Sequence, residues 1–207
     1  MQASPRPIPD NTGRKPAPGD LWLVQDFVNT LDVDDGLVQT ELLPDVAALA
    51  SWLRDHGLLE AGGAIGEPEL RQAIAVREAL RALLLANNGG PLDPAAVETV
   101  NAAAKSAEVV VRFGADGAAD LAPVRPGLDG ALGRLLAIAF RSMADGTWER
   151  LKSCPEERCG WVFYDHSRNR SARWCQMAVC GNRTKTRAYR TRRRGTRAVS
   201  EASRPSP

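Results

Sequence analysis

The chain has 207 residues, 43% hydrophobic, 25% charged and 5% aromatic. That is enough for one modest domain with a small satellite module, and no run approaches the ~20 apolar residues that a bilayer crossing needs. The formal net charge of +2 hides a split: residues 1–149 hold 12 Lys/Arg against 21 Asp/Glu, a net −9, whereas residues 150–197 hold 14 against 3, a net +11. A basic block of this kind serves an anionic partner, most often nucleic acid, or else is a solvated tail that only aids solubility.

Residues 1–19 carry Pro5, Pro7, Pro9, Pro16 and Pro18 and no apolar h-region, so they read as a disordered leader and not as a secretory signal. Asp20 suits an N-cap for a helix whose inward face is Leu21, Val24, Phe27, Val28 and Leu31. A second helix is predicted to begin at Pro44 and to run through Leu49, Trp52 and Leu53 to a stop at His56-Gly57. The longest spans Glu67–Ala86 and ends at Asn87-Asn88-Gly89-Gly90-Pro91, after which Asp93-Pro94 opens an Ala-rich helix to about Ser106. Val109, Val110 and Val111, a turn at Gly114–Gly117 and a second run to Val124 predict a hairpin. A last helix, about Asp129–Ala144, offers Leu132, Leu135, Leu136, Ile138 and Phe140 to the core. The expectation is a mainly α body with a small β-hairpin.

On the longest helix Leu70, Ile74, Leu80 and Leu84 share one arc, and Arg77 and Arg81 fall inside it. Guanidiniums among leucines need partners, because an unpaired buried charge is costly. The structural reading pairs them with acids such as Asp26 or Asp32. The sharper reading is a ligand-binding pocket, in which Arg77, Arg81, Asp26 and Asn29 hold a small anionic effector.

All four cysteines, Cys154, Cys159, Cys175 and Cys180, fall in one 27-residue window with the spacing C-x4-C-x15-C-x4-C. Two close pairs, with a connector that could hold a hairpin, bring four thiolates to one point, as tetrahedral Zn²⁺ requires. The expected cofactor is one structural Zn²⁺, with three disulfide pairings as the alternative. Four thiolates leave no open position for a catalytic water. His166, on the polar stretch 165–168, reads as a surface histidine. Trp148, Trp161, Phe163, Tyr164 and Trp174 supply a mini-core or, alternatively, stack on bases. Residues 161–164 read as a strand with Trp161 and Phe163 on one face.

From Gly181 to Arg194 there are seven basic residues and no acid. At 100° per residue Arg183, Arg187, Arg190 and Arg194 lie within about 60° of one another, a stripe that can follow phosphates or enter a major groove. Lys185 and Arg193 extend the basic surface, Gly195 should end the helix, and Arg168, Arg170 and Arg173 in the connector offer further contacts. Asn182 either contacts a base or caps the helix.

The run Trp174–Arg183, with Cys180-Gly181-Asn182-Arg183 at its end, resembles the signature of the CGNR zinc-finger proteins, and Cys154–Asp165 resembles the first half of the same finger. Asp26-Phe27-Val28-Asn29-Thr30 and Arg77-Glu78-Ala79-Leu80-Arg81 are similar to the ABATE domain that usually precedes it. The resemblance implies a bacterial, cytoplasmic and nucleoid-associated stress-induced transcription regulator whose finger binds double-stranded DNA. The organisation then reads as a leader (1–19), a helical domain that senses a ligand or forms a homodimer (20–147), a four-cysteine finger ending in a basic helix (148–195) and a disordered tail (196–207). RNA binding and a zinc-stabilised protein adaptor are the rival functions. With His56 and His166 the only histidines and no phosphate-cradling loop, the chain is not expected to be an enzyme.

Overall fold

The structure, a computed structural model, describes residues 15–34, 38–60 and 63–191. The expectations for residues 1–14, for Arg193, Arg194 and Gly195, and for the tail fall outside these. Among the described residues the body comprises α1 (Leu21–Val28), α2 (Val46–Asp55), α3 (Glu67–Ala86), α4 (Pro94–Ser106) and α5 (Gly127–Ala144). Two antiparallel hairpins join them, β1–β2 (Leu31–Asp34 with Val38–Glu41) and β3–β4 (Val110–Phe113 with Ala119–Ala122). A third hairpin, β5–β6 (Leu151–Ser153 with Val162–Tyr164), follows a 3₁₀ turn at Trp148–Arg150. A π turn at Met177–Gly181 then leads into α6, residues 182–191.

Helix starts follow their chemistry. The Asp45 and Asp93 carboxylates accept hydrogen bonds from Ala48 N and Ala95 N at 2.8 and 2.9 Å, and Glu69 Oε2 accepts one from Gly66 N at 3.0 Å. Pro44 therefore precedes the α2 cap instead of opening the helix. α1 stops at Val28, short of Leu31, because the next two side chains turn to other partners. Asn29 Nδ2 donates to Val162 O and Asn29 Oδ1 accepts from Val162 N, both at 2.8 Å, while Thr30 Oγ1 donates to Phe27 O. Leu31 accordingly opens β1. The leader expectation also needs correcting at its inner end: Ala17 is buried in the core and its N–H donates to Gln25 Oε1 at 2.8 Å.

α1, α3 and α5 bury Val24, Phe27, Leu80, Leu84, Leu132 and Leu135 in one core, joined by Leu49 and Leu53 of α2. Each such side chain contributes about 1.5–3 kcal/mol on leaving water. Phe140, expected in this core, is 55% exposed; it sits about 80° from Leu132 around α5, on the flank of the buried arc. Leu151, Val162 and Tyr164 belong to the same core, so the third hairpin is built onto the body.

Arg77 is only 2% exposed and its guanidinium is taken by this chain's own oxygens. Nη1 and Nη2 grip Glu41 at 2.7 and 2.8 Å, Nε meets Glu78 Oε1 at 2.8 Å and Nη1 reaches Thr30 Oγ1 at 3.2 Å. Asp26 faces elsewhere, accepting from Trp52 Nε1 and pairing with His56 Nε2, each at 3.0 Å. Burial opposes charge on His56, but its bonds to Asp26 and to the Trp52 carbonyl prevail and raise its pKa. Arg77, Arg81, Asp26 and Asn29 thus do not converge on a common ligand: three separate structural networks use them. An acid does answer the buried guanidinium, but it is Glu41 of β2 and not Asp26.

Candidate metal centre

The third hairpin carries the first cysteine pair in its turn. Cys154 N donates to Trp161 O at 2.9 Å just beyond the β5–β6 ladder, so the hairpin straddles Cys154 and Cys159 and does not occupy the connector between the pairs. Alternation along β6 separates two cores. Val162 and Tyr164 face the body, whereas Trp161 and Phe163 pack around the cysteines with Trp174 and Val179 alongside. Trp148 likewise joins the body core, so the expected mini-core shrinks to the residues nearest the sulfurs.

Each cysteine pair ends in Cys-Gly for a physical reason. Gly160 turns the chain at φ +62°, in the left-handed region that favours glycine. At Gly181 a Cβ would stand 2.4 Å from Met177 Sδ and 3.1 Å from Trp174 Cδ1. The second knuckle is the π turn, in which Cys180 N and Gly181 N both donate to Gln176 O. Asn182 then donates its side-chain amide to Ala178 O at 2.9 Å, tying α6 to the knuckle.

All four Sγ atoms are buried and lie within 4.8 Å of one another. Cys159 and Cys175 are 3.4 Å apart and Cys175 and Cys180 3.5 Å. Zn–S bonds of about 2.3 Å in a tetrahedron place sulfurs roughly 3.8 Å apart, so the donor set fits the ion. Proton chemistry agrees. Thiol hydrogen bonds from Cys159 and Cys175 pull Cys154 down, while the thiolate so formed, together with burial, pushes Cys159 and Cys175 up. Ionising the buried thiols together is therefore opposed, and a bound dication offsets that cost. The four cysteines hold one structural Zn²⁺.

The sequence does not reveal how the body grips this centre. Arg81 donates from Nη1 to Gly160 O and from Nη2 to Val28 O, both at 2.6 Å, and from Nε to Glu78. It therefore clamps the first knuckle to the end of α1. Past the end of α3, Asn87 Nδ2 donates to Trp148 O and Leu151 O, and Asn88 Nδ2 to Ser153 O and Arg173 O. The Asn-Asn pair carries a helix-stop signal; the tether becomes visible only in three dimensions. Inside the finger, Lys152 directs Nζ to Asp165 Oδ2, Arg170 O and Ala172 O at 2.8, 2.7 and 3.1 Å. Burial disfavours the Asp165 carboxylate, but the bonds from Lys152 and Ser167 outweigh it and hold its pKa low. The connector is folded over this buried pair. His166 is at the surface, as expected.

On α6 the basic residues separate into two kinds. Arg187 folds back and pairs with Glu156, whose carboxylate is fully buried, and with Glu157 at 2.7 Å. Arg183, Lys185 and Arg190 enter no ion pair among the described residues, and Lys185 and Arg190 are exposed. In the connector Arg168 is exposed, Arg170 pairs with Glu149 at 2.9 Å, and the Arg173 guanidinium lies 5.8 Å from the Trp174 ring centre.

No helix among the described residues is long and apolar enough to cross a membrane. No curated protein matches the chain. Two family models do: the ABATE domain, described as a putative stress-induced transcription regulator, over residues 21–146, and the CGNR zinc finger over residues 150–193. With more than half of its length matched by the first and its four sulfurs gathered within the second, the chain belongs to the ABATE family and joins that domain to a CGNR zinc finger.

Proposed function

We propose that this protein is a zinc-dependent transcription regulator that binds double-stranded DNA through α6 and the finger connector, with the helical body sensing an anionic ligand or pairing with a second copy. The observation that carries this reading is the division of charge on α6. Arg187 is tied to Glu156 and Glu157, which fixes the helix against the zinc centre. Arg183 and Arg190, one turn before it and about one turn after it, enter no ion pair among the described residues and are left for phosphates or guanine edges. Arg187 is thereby a positioning residue, and Arg168 and Arg173 add backbone contacts from the connector. The metal has no catalytic role on this reading, because four thiolates fill its coordination.

Each neutralised phosphate contributes about −0.9 to the slope of log affinity against log salt. Arg183→Ala with Arg190→Ala is expected to reduce the magnitude of that slope by roughly 1.8, measured on any duplex by fluorescence anisotropy across a salt series. An unchanged slope would remove both residues from the interface. Genomic footprinting with the zinc-loaded protein tests the reading as a whole: discrete protected duplex sites support it, and their absence, or recovery of RNA in their place, sinks it.

A further inference from the structure

A trough runs between α5, the β3–β4 hairpin and the loop after α2. It has two lobes, cavities of about 510 and 610 Å³, with Leu58, Ala122, Pro123 and Arg134 common to both walls. Each lobe lies within the ~300–1,000 Å³ range of small-molecule sites. We propose that the larger lobe binds a small organic anion, a carboxylate or phosphate ester carrying an apolar body. The proposal rests on the sensing role given to the body above and names the site and the ligand class.

Charge distinguishes the lobes. In the smaller one Arg141 is already answered by Asp120 and lies 3.8 Å from Asp20. The larger one is lined by Arg112, Arg125 and Arg134, and Glu60 is the one acid among its described lining residues. Arg134 uses a single donor, Nη1, on Gly57 O at 2.9 Å, leaving the rest of its fork available. Arg125 has only a 3.4 Å contact with Glu108, both more than half exposed, and Arg112 enters no ion pair among the described residues. Three guanidiniums line the lobe with one acid among its described lining residues, and an anion in the lobe would take charge-assisted hydrogen bonds from them.

The backbone is arranged to bring these groups together. Arg112 stands opposite Asp120 in the β3–β4 register, and Asp120 reaches Arg141 of α5, so this face of the hairpin looks onto the helix. Val111 and Phe113, the alternate residues, are 61% and 72% exposed on the other face. A Cβ at Gly130 would stand 2.3 Å from Arg125 O; glycine there lets the bend carrying Arg125, between β4 and α5, close directly onto the first turn of the helix. Leu58, Leu59, Pro123 and Val124 supply the apolar wall for the ligand body.

The test titrates the zinc-loaded full chain with 8-anilinonaphthalene-1-sulfonate, an anion on an apolar body, and with its uncharged relative N-phenyl-1-naphthylamine. One saturable site for the sulfonate is expected, at least about tenfold tighter than the neutral probe, as one charged group held by a guanidinium contributes at least 1.4 kcal/mol. Arg112→Gln with Arg134→Gln should weaken the sulfonate by a similar factor, whereas Arg183→Ala with Arg190→Ala should leave it unchanged. Circular dichroism checks that the variants fold, and the single Arg112→Gln change on the exposed hairpin serves if the double variant does not. Benzoate and phenyl phosphate compete in separate arms, and the better competitor assigns the ligand as carboxylate or phosphate ester. Equal affinity for the charged and neutral probes, sulfonate binding unmoved by the arginine changes, or displacement by neither competitor would overturn the proposal. No nucleic acid enters the titration, so failure of DNA binding leaves its outcome unaltered.

Discussion

A Cys175→Ser chain is expected to lose its zinc on desalting and to unfold at least roughly 10 °C below the unaltered protein, a shift equivalent to a few kcal/mol in a chain of this length. Cys175 lies 3.4 Å from Cys159 and 3.5 Å from Cys180, so its loss removes the thiolate that links the two pairs. Structural zinc contributes on the order of 10–16 kcal/mol to small domains that fold around it. Around this centre the buried side chains are few, chiefly Trp161, Phe163 and the cysteines themselves, too little apolar surface to substitute for the ion. The damage should spread beyond the finger. Val162 is bonded to Asn29 through both its N–H and its carbonyl, and Arg81 joins Gly160 to Val28. Elemental analysis and a thermal scan followed by circular dichroism check the expectation. One zinc per chain retained with an unshifted transition would contradict it.

Arg77→Ala should be the most damaging single change in the helical body, at about 3–5 kcal/mol, the range for removing one partner of a buried ion pair. The guanidinium supplies both bonds to Glu41, one to Glu78 and one to Thr30. Without it, Glu41 is left as a partly buried carboxylate with no cation on it, and a cavity opens in α3. Burial works against the charged form of Glu41, but the Arg77 hydrogen bonds outweigh that and lower its pKa. The sign of the linkage follows: the stabilisation is complete above the ordinary carboxylate pKa and is lost as pH falls through the lowered one. Unfolding by urea at several pH values checks both points. The variant should be weaker near neutrality, with the difference shrinking in acid. A loss below about 1 kcal/mol at neutral pH would show that the pair is not buried as described.

The parts of this molecule legible in its sequence are those set by local chemistry. The end of α3 follows from the Asn-Asn-Gly-Gly-Pro run after it, and the start of α4 from Asp93-Pro94. Cysteine spacing alone locates the metal, because short loops bring the sulfurs together. What escapes is the long-range use of polar side chains. Arg81 and Arg77 look alike on the α3 arc, yet one holds the zinc knuckle and the other holds β2. Asn29 sits 133 residues from its partner Val162, and nothing near it in the chain announces that pairing. Periodicity extends α1 to Leu31 for the same reason, since apolar spacing cannot register that Asn29 is needed elsewhere. Arg187 falls on the basic stripe by angle, and only the buried Glu156 carboxylate reveals that it is tied back to the finger.

The account depends on zinc holding α6 where its remaining cations can reach DNA. Duplex affinity measured by anisotropy, on one preparation before and after zinc is withdrawn by a chelator and again after zinc is restored, tests this directly. The account predicts an affinity at least about tenfold weaker without zinc, a difference of 1.4 kcal/mol or more, and full recovery on its return. Equal affinity in all three states would mean that the basic segment binds as a loose polycation, and would contradict it.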